Sequence, residues 1–180
     1  MARTLKEAEQ EIEVLKREVK ELRELTLDDL TGLPRRKVFQ VAVEEEILRS
    51  KRTKRPFSIP IIDLNYLKTV NDTYGHQAGD QMIRSFAMFL RSTFRDCDIL
   101  ARTGGDEFMV FLPDQNEKSA TTVKEHLLQT LKKGESLLPF FKGAAIGVAT
   151  FGKENQSFEQ MYAAADKAMY VHKKAMKKQD

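Results

Sequence analysis

Residues 99–112 read ILARTGGDEFMVFL, and the pattern of this stretch decides the fold. Two apolar runs, Ile99-Leu100-Ala101 and Phe108-Met109-Val110-Phe111-Leu112, are short, β-branched or aromatic, and bounded by polar residues, so they read as strands. Gly104, Gly105, Asp106 and Glu107 then close a hairpin between them. The plainest account of the turn is that Gly-Gly supplies a positive φ while the two acids are solvated. The rest of the chain decides whether the acids do more.

Working outward, Phe57-Ser-Ile-Pro-Ile-Ile-Asp63 is another apolar run, and it ends in a carboxylate. If it lies beside the hairpin, Asp63, Asp106 and Glu107 converge. Three carboxylates so close raise one another's pKa unless a cation is present. Mg2+ is the natural cation, because it takes one or two carboxylates and completes its octahedron with water and substrate phosphates. Two such ions can hold an attacking hydroxyl and a phosphate in line. The glycines then gain a second purpose, since backbone without a Cβ lets a phosphate or ribose come close.

Residues 63–80, DLNYLKTVNDTYGHQAGD, lie between the acids. Lys68 is a cation suited to a triphosphate tail. Asn71 and Asp80 suit a guanine edge, where a carboxylate accepts from N1–H and N2–H2 and an amide meets an acceptor. Adenine leaves that aspartate unpaired, at about 1–3 kcal/mol when buried. Singly, each residue has a local alternative as a helix cap.

The 180 residues, 41% hydrophobic, fit one domain of ordinary size with something appended. Lysine and arginine exceed the acids by 30 to 27, a net +3 that is too small to imply nucleic-acid binding but suits an anionic small ligand. The single cysteine, Cys97, excludes an internal disulfide framework, and His76, His126 and His172 lack metal spacing. The sequence holds no apolar stretch approaching a membrane span and no basic-then-apolar leader, so the expectation is a soluble cytoplasmic chain. Met1 leads almost directly into a helix that reads as the end of something longer.

That helix, from Leu5 to Thr26, repeats every seven residues. Leu5, Ile12, Val19 and Thr26 fall at a, and Ala8, Leu15 and Leu22 at d. Branched residues at a with leucine at d favour a parallel two-stranded coiled coil, in which Glu11 meets Lys16 and Glu18 meets Arg23 across the seam. The alternative is a lone amphipathic helix packed on its own domain. The period breaks at Leu27–Pro34, which sets the boundary between residues 1–26, a dimerisation and signalling helix, and 27–180, the main domain. Beyond it the pattern predicts helix 35–52 ending in a solvated basic run at 49–55, strand 57–64, helix 66–73, helix 80–94, the hairpin, helix 116–133, strand 140–150 and helix 157–177. This order makes an α/β sandwich with a largely antiparallel central sheet flanked by helices.

These residues together resemble the GGDEF family of diguanylate cyclases, which condense two GTP into cyclic di-GMP. Asp28-Asp-Leu-Thr-Gly-Leu-Pro-Arg-Arg36 resembles the entry motif, Asp63–Asp80 the metal and nucleotide segment, Gly104–Phe108 the signature, Ala145–Ala149 a later strand and Ala165–Tyr170 the last helix. The resemblance runs from Asp28 to about Lys177. It implies a palm-like fold shared with nucleotidyl cyclases, with Mg2+ or Mn2+ held by Asp63, Asp106, the Leu64 carbonyl and Glu107, the last a second metal or proton-handling carboxylate. It assigns guanine to Asn71 and Asp80, phosphates to Lys68 and Lys173, and catalysis to the signature residues Gly104 to Glu107.

A cyclic product from two GTP needs two domains facing each other about a twofold axis, each presenting one nucleotide, and the coiled coil would set that encounter. An upstream partner could tune it through the hinge at 26–33. Arg95 and Asp98, ending five residues before Gly104, resemble the family's inhibitory product site; the bland alternative is a surface ion pair. Some positions depart from the family. Asn65 stands where a second aspartate is common and Arg35 where asparagine is common. Pro60 lies inside a strand, so a bend or pairing on only one side is expected there. Met176-Lys177 replaces a glycine-arginine pair, which puts a phosphate role for Lys177 in doubt. A silent nucleotide receptor would be expected to lose the acids or the lysine, and a purely structural coiled-coil protein would not need them.

Overall fold

The computed structural model describes residues 5–134, 138–152 and 156–176, so Lys177, whose phosphate role the sequence leaves open, lies outside the described residues. The elements run α1 (Leu5–Thr26), α2 (Arg36–Thr53), β1 (Phe57–Leu64), α3 (Leu67–Tyr74), α4 (His76–Thr93), β2 (Ile99–Arg102), β3 (Glu107–Pro113), α5 (Glu117–Gly134), β4 (Ala144–Thr150) and α6 (Phe158–Met176). The strands form an antiparallel sheet in the order β2-β3-β1-β4.

Period-two alternation divides the side chains of the sheet between two cores. Ile62, Leu64, Phe108, Val110, Leu112 and Ile146 face α4 and α5, where Phe86, Leu90 and Leu127 are buried. Ile59, Ile61, Met109, Phe111 and Ala145 face α2 and α6, where Phe39, Val43, Met161 and Ala165 are buried. Both faces are therefore covered, and the functional groups are left to the ends of strands.

Pro60 behaves as its missing N–H requires. It pairs with Val148 of β4, while the β1–β3 ladder keeps one register on both sides of it yet skips Ile59 and Pro60. The strand is paired on one side there.

Two boundaries differ from the sequence expectation. α4 begins at His76, four residues ahead of the expected Asp80. Gly75, with φ 85°, ends α3 and starts α4 in a single residue, a conformation that glycine adopts readily. β4 begins at Ala144, where the pattern placed it at 140. Phe140 at φ 60° and Gly143 at φ 99° turn the chain before the sheet can start.

α1 does not pack on its own domain, which removes that alternative. Ile12, Leu15 and Val19 are about half exposed and Leu22 is 60% exposed. Within the chain, Lys16 pairs with Glu13 of the same helix at 2.7 Å. The expected hinge after α1 is a hydrogen-bonded turn. The Arg35 N–H donates to the Thr26 carbonyl at 2.8 Å, Asp28 N–H to the Leu33 carbonyl at 2.7 Å, and Arg91 reaches the Gly32 carbonyl at 2.9 Å.

Candidate active site

The site lies where β1 ends and the β2–β3 turn begins. Asp63 is opposite Glu107 in the ladder, and the Leu64 N–H donates to the Asp106 carbonyl at 2.9 Å, so the three expected acids share one corner of the sheet. Their charges are felt at Asp63. Burial pushes that carboxyl up, Lys173 pulls it back, and Asp106 and Glu107 push it up again, leaving it above the usual aspartate value. The cation beside Asp63 is Lys173 from α6, whose Nζ donates to Asp63 Oδ1 at 2.5 Å. Among the described residues no three acid, histidine or cysteine side chains are grouped closely enough to hold a metal ion by themselves.

Glu107 is fixed by two hydroxyls. Thr103 Oγ1 donates to Oε1 at 2.6 Å, and the Tyr162 hydroxyl of α6 donates to the two carboxylate oxygens at 3.4 and 3.2 Å. Arg36 lies over the Tyr162 ring, 4.3 Å from its centre. Burial, and then the Glu107 charge, raise the Tyr162 phenol above its usual value, so it remains a donor.

The glycines of the turn are not there for a left-handed backbone. Neither Gly104 nor Gly105 has positive φ, which corrects the plain turn account. A Cβ at Gly104 would lie 3.3 Å from the Glu107 Cβ, and one at Gly105 would meet nothing within 4 Å. Gly105 thus leaves open space beside the acids. Its carbonyl accepts from Arg102 Nη2 at 2.8 Å, while Arg102 Nη1 donates to both Asp28 oxygens at 3.0 and 3.1 Å. Asp28 also accepts from the Thr31 N–H at 2.9 Å and hydroxyl at 2.6 Å. Burial pushes Asp28 up, but the bonds from Thr31 and Arg102 outweigh it and hold the carboxyl below the usual range.

Asn71 and Asp80 are not caps. Asn71 lies within α3 and Asp80 within α4, and neither helix has a side-chain cap at its start. The two helices touch where Gly79 is buried. A Cβ there would stand 1.9 Å from Asn71 Oδ1, so a side chain at 79 would push the Asn71 amide away from the turn of helix carrying Asp80. Asp80 is half-buried and 3.9 Å from Arg84, and Lys68 is exposed on α3.

Arg95 and Asp98 do not form the bland surface ion pair. Asp98 Oδ2 accepts from the Arg95 backbone N–H at 2.9 Å, and the Asp98 N–H donates to the Arg95 carbonyl at 2.9 Å, closing a turn. Both side chains border two clefts of about 330 and 430 Å3 on either side of that turn. The residues that sequence reasoning did not single out are Arg102, Thr103, Tyr162 and His172. Thr103 and Arg102 flank the signature and could have been suspected. Tyr162 and His172 had no local signal.

An antiparallel sheet with helices on both faces, carboxylates clustered at one corner where a hairpin turns and a lysine laid onto them defines the palm-like class of α/β domains. The chain belongs to the diguanylate cyclase, GGDEF domain family, whose model matches residues 25–179. It is 33% identical over 154 residues to the diguanylate cyclase DgcP of Pseudomonas aeruginosa, covering 82% of this chain and 22% of that protein. It is 32% identical over 146 residues to the diguanylate cyclase DgcS of Shewanella oneidensis, covering 81% and 49%. The chain therefore spans between about a fifth and a half of the length of these curated relatives. Among solved structures, the coiled coil and GGDEF domain of DgcB from Caulobacter crescentus, in complex with c-di-GMP, superposes with TM-score 0.81 at 25% identity, covering 95% of this chain and 93% of that one. No helix among the described residues is long and apolar enough to cross a membrane.

Proposed function

We propose that this chain is a diguanylate cyclase that condenses two GTP into cyclic di-GMP with release of pyrophosphate, working as a dimer with product inhibition. Residues 27–180 form the catalytic domain and residues 1–26 the dimerisation and signalling helix. The observation that carries the reading is the meeting of Asp63, Asp106 and Glu107 at one corner with Lys173 laid onto Asp63.

The donor set fits Mg2+ or Mn2+. Asp63, Asp106, Glu107 and the Leu64 carbonyl are hard oxygen ligands, too few for a closed cage, and Mg2+ prefers a site completed by substrate phosphates. When bound, the ion supplies charge neutralisation at the phosphates and lowers the pKa of an attacking hydroxyl. Lys68 and Lys173 bind the phosphate tail. Asp80 and Asn71 read guanine, with Asp80 accepting from its N–H edge. Glu107, oriented by Thr103 and Tyr162, acts either as a second metal ligand or as the acceptor of the 3′-hydroxyl proton.

In each half-reaction a 3′ oxygen forms a bond to the α-phosphorus of the other nucleotide, the bond to the β-phosphate breaks, and pyrophosphate leaves. Two such steps close the ring, which requires two domains about a twofold axis. The exposed a and d residues of α1 supply the seam that brings them together. Arg95 and Asp98 bind the guanine bases of product, the guanidinium on O6/N7 and the carboxylate on N1–H/N2–H2.

The test is stoichiometric. The chain incubated with GTP and Mg2+ should release two pyrophosphates for each cyclic di-GMP, and ATP should give no product. Pyrophosphate without cyclic dinucleotide would contradict the reading.

A further inference from the structure

β4 is an edge strand, and its N–H groups on the side away from β1 need partners from outside the sheet. One of them, Ile146 N–H, donates to His172 Nδ1 on α6 at 2.9 Å. The contact closes a ring. His172 precedes Lys173, Lys173 donates to Asp63, Asp63 stands opposite Ala145 in the β1–β4 ladder, and Ala145 precedes Ile146. α6 has a second anchor on the same strand at Gly147, where a Cβ would lie 2.0 Å from the Ala165 carbonyl oxygen and 2.2 Å from the Met169 nitrogen. Gly147 sets how closely the helix approaches. His172, one turn further on, sets its rotation where Lys173 must reach the acid.

We infer that His172 is a positioning residue for the GTP site: its neutral Nδ1, accepting from the Ile146 N–H, holds α6 so that Lys173 lies on Asp63, and protonation of that nitrogen releases the lysine and weakens nucleotide binding at acid pH. The inference rests on the reading of Lys173 as a phosphate-binding group. An imidazolium has two N–H donors and no acceptor, so a protonated Nδ1 would face the Ile146 N–H donor to donor. The surroundings add to the effect. Lys124 of α5 is the charged group that faces His172 from the other side of the strand, Lys173 and Lys174 adjoin it on α6, β4 carries no titratable side chain, and the only one on β1 is Asp63. Burial, then the Lys124 charge, hold the imidazole below its usual 6.5. A histidine so lowered contributes fully above 6.5, and its contribution is lost as the pH falls from there through the folded-state value.

The test uses the whole chain, and His172→Asn is the informative variant because its Oδ1 replaces Nδ1 as an acceptor and does not titrate. Two quantities are read between about pH 5 and 8, the range of histidine titration. One is the amide-exchange protection of Ile146 without nucleotide. The other is the dissociation constant of a GTP analogue with methylene between the α- and β-phosphorus, which cannot react. His172→Ala should lower Ile146 protection and weaken the analogue by about three- to tenfold at neutral pH, the size of one lost hydrogen bond. His172→Asn should keep both near the native values at neutral pH and flatten the acid limb, leaving the part that comes from the analogue's own terminal phosphate, whose second ionisation falls at about pH 6. Equal protection and equal affinity in the native chain and His172→Ala would overturn the inference, as would an acid limb equally steep in the native chain and His172→Asn. Failure of the native chain to bind the analogue at any pH would instead overturn the functional reading on which the inference rests.

Discussion

Arg102 and Asp28, 74 residues apart in the chain, join through two hydrogen bonds of 3.0 and 3.1 Å with both side chains largely buried. The same guanidinium holds the Gly105 carbonyl, so the segment leaving α1 and the signature turn share one clamp. The Arg102 N–H also donates to the Pro34 carbonyl at 3.0 Å, which aligns the two segments as a short parallel bridge. The segment that follows α1 is thereby hydrogen-bonded directly to the signature turn.

Breaking this clamp should destabilise the fold. Arg102→Met leaves a partly buried carboxylate with only Thr31 as partner, and the expected loss is about 1.5–3 kcal/mol, read as a lowered denaturant midpoint at neutral pH. Because Asp28 is held below its usual 3.8, its contribution is complete above 3.8 and is lost as the pH falls from there through the folded-state value. The gap between native chain and variant should close over that acid window. A gap independent of pH would assign the loss to packing alone.

Asp80→Ser should weaken GTP and relax discrimination against ATP, since a serine hydroxyl can donate or accept. About a tenfold change in the preference between the two nucleotides is expected from one specific contact. A competition assay measures it. An unchanged ratio would move guanine recognition away from α4.

The strands were legible in the sequence because their evidence is local. The apolar runs Phe57–Asp63 and Phe108–Leu112 marked both strands and the acids at their ends, while the pairing that sets Asp63 opposite Glu107 is a finding of the structure. The start of α4 was hidden because glycine is a weak helix former and Gly75 and Gly79 bracket it, whereas one serves two helix ends and the other leaves room for the Asn71 amide. The hydroxyls on Glu107 divide in the same way. Thr103 is four residues away and suspect, while Tyr162 is 55 away on a helix whose apolar period sets its buried face but not the strand end it lies against. The Arg102–Asp28 clamp and the His172–Ile146 contact are long-range pairings of this second kind.

The exposed stripe on α1 should drive self-association. With Leu15 and Leu22 about half or more exposed in the single chain, a seam of some three heptads predicts a mass in solution that rises from one chain to two with concentration. Leu15→Asp should hold the chain monomeric and lower turnover at a given concentration. A concentration-independent monomer that is fully active would separate α1 from the encounter of domains.

Arg95→Ala should remove product inhibition and leave basal turnover intact, because Arg95 lies on the turn before β2, away from the acid corner. Initial rates with added cyclic di-GMP on both proteins decide it. Equal inhibition of the two would return the Arg95 turn to a structural role.

The central claim is that the acids at the signature turn carry out the condensation, and its most direct measurement is chromatography of the products from GTP and Mg2+ on the native chain and Asp106→Ala side by side. Circular dichroism on both proteins checks that the fold survives, as it should when one member of a repulsive acid cluster is removed. The account predicts cyclic di-GMP from the native chain and at least about a hundredfold less from the folded variant, the scale of losing one group that stabilises transition-state charge. Undiminished cyclic di-GMP from a folded Asp106→Ala, or none from the native chain at any concentration, would contradict it.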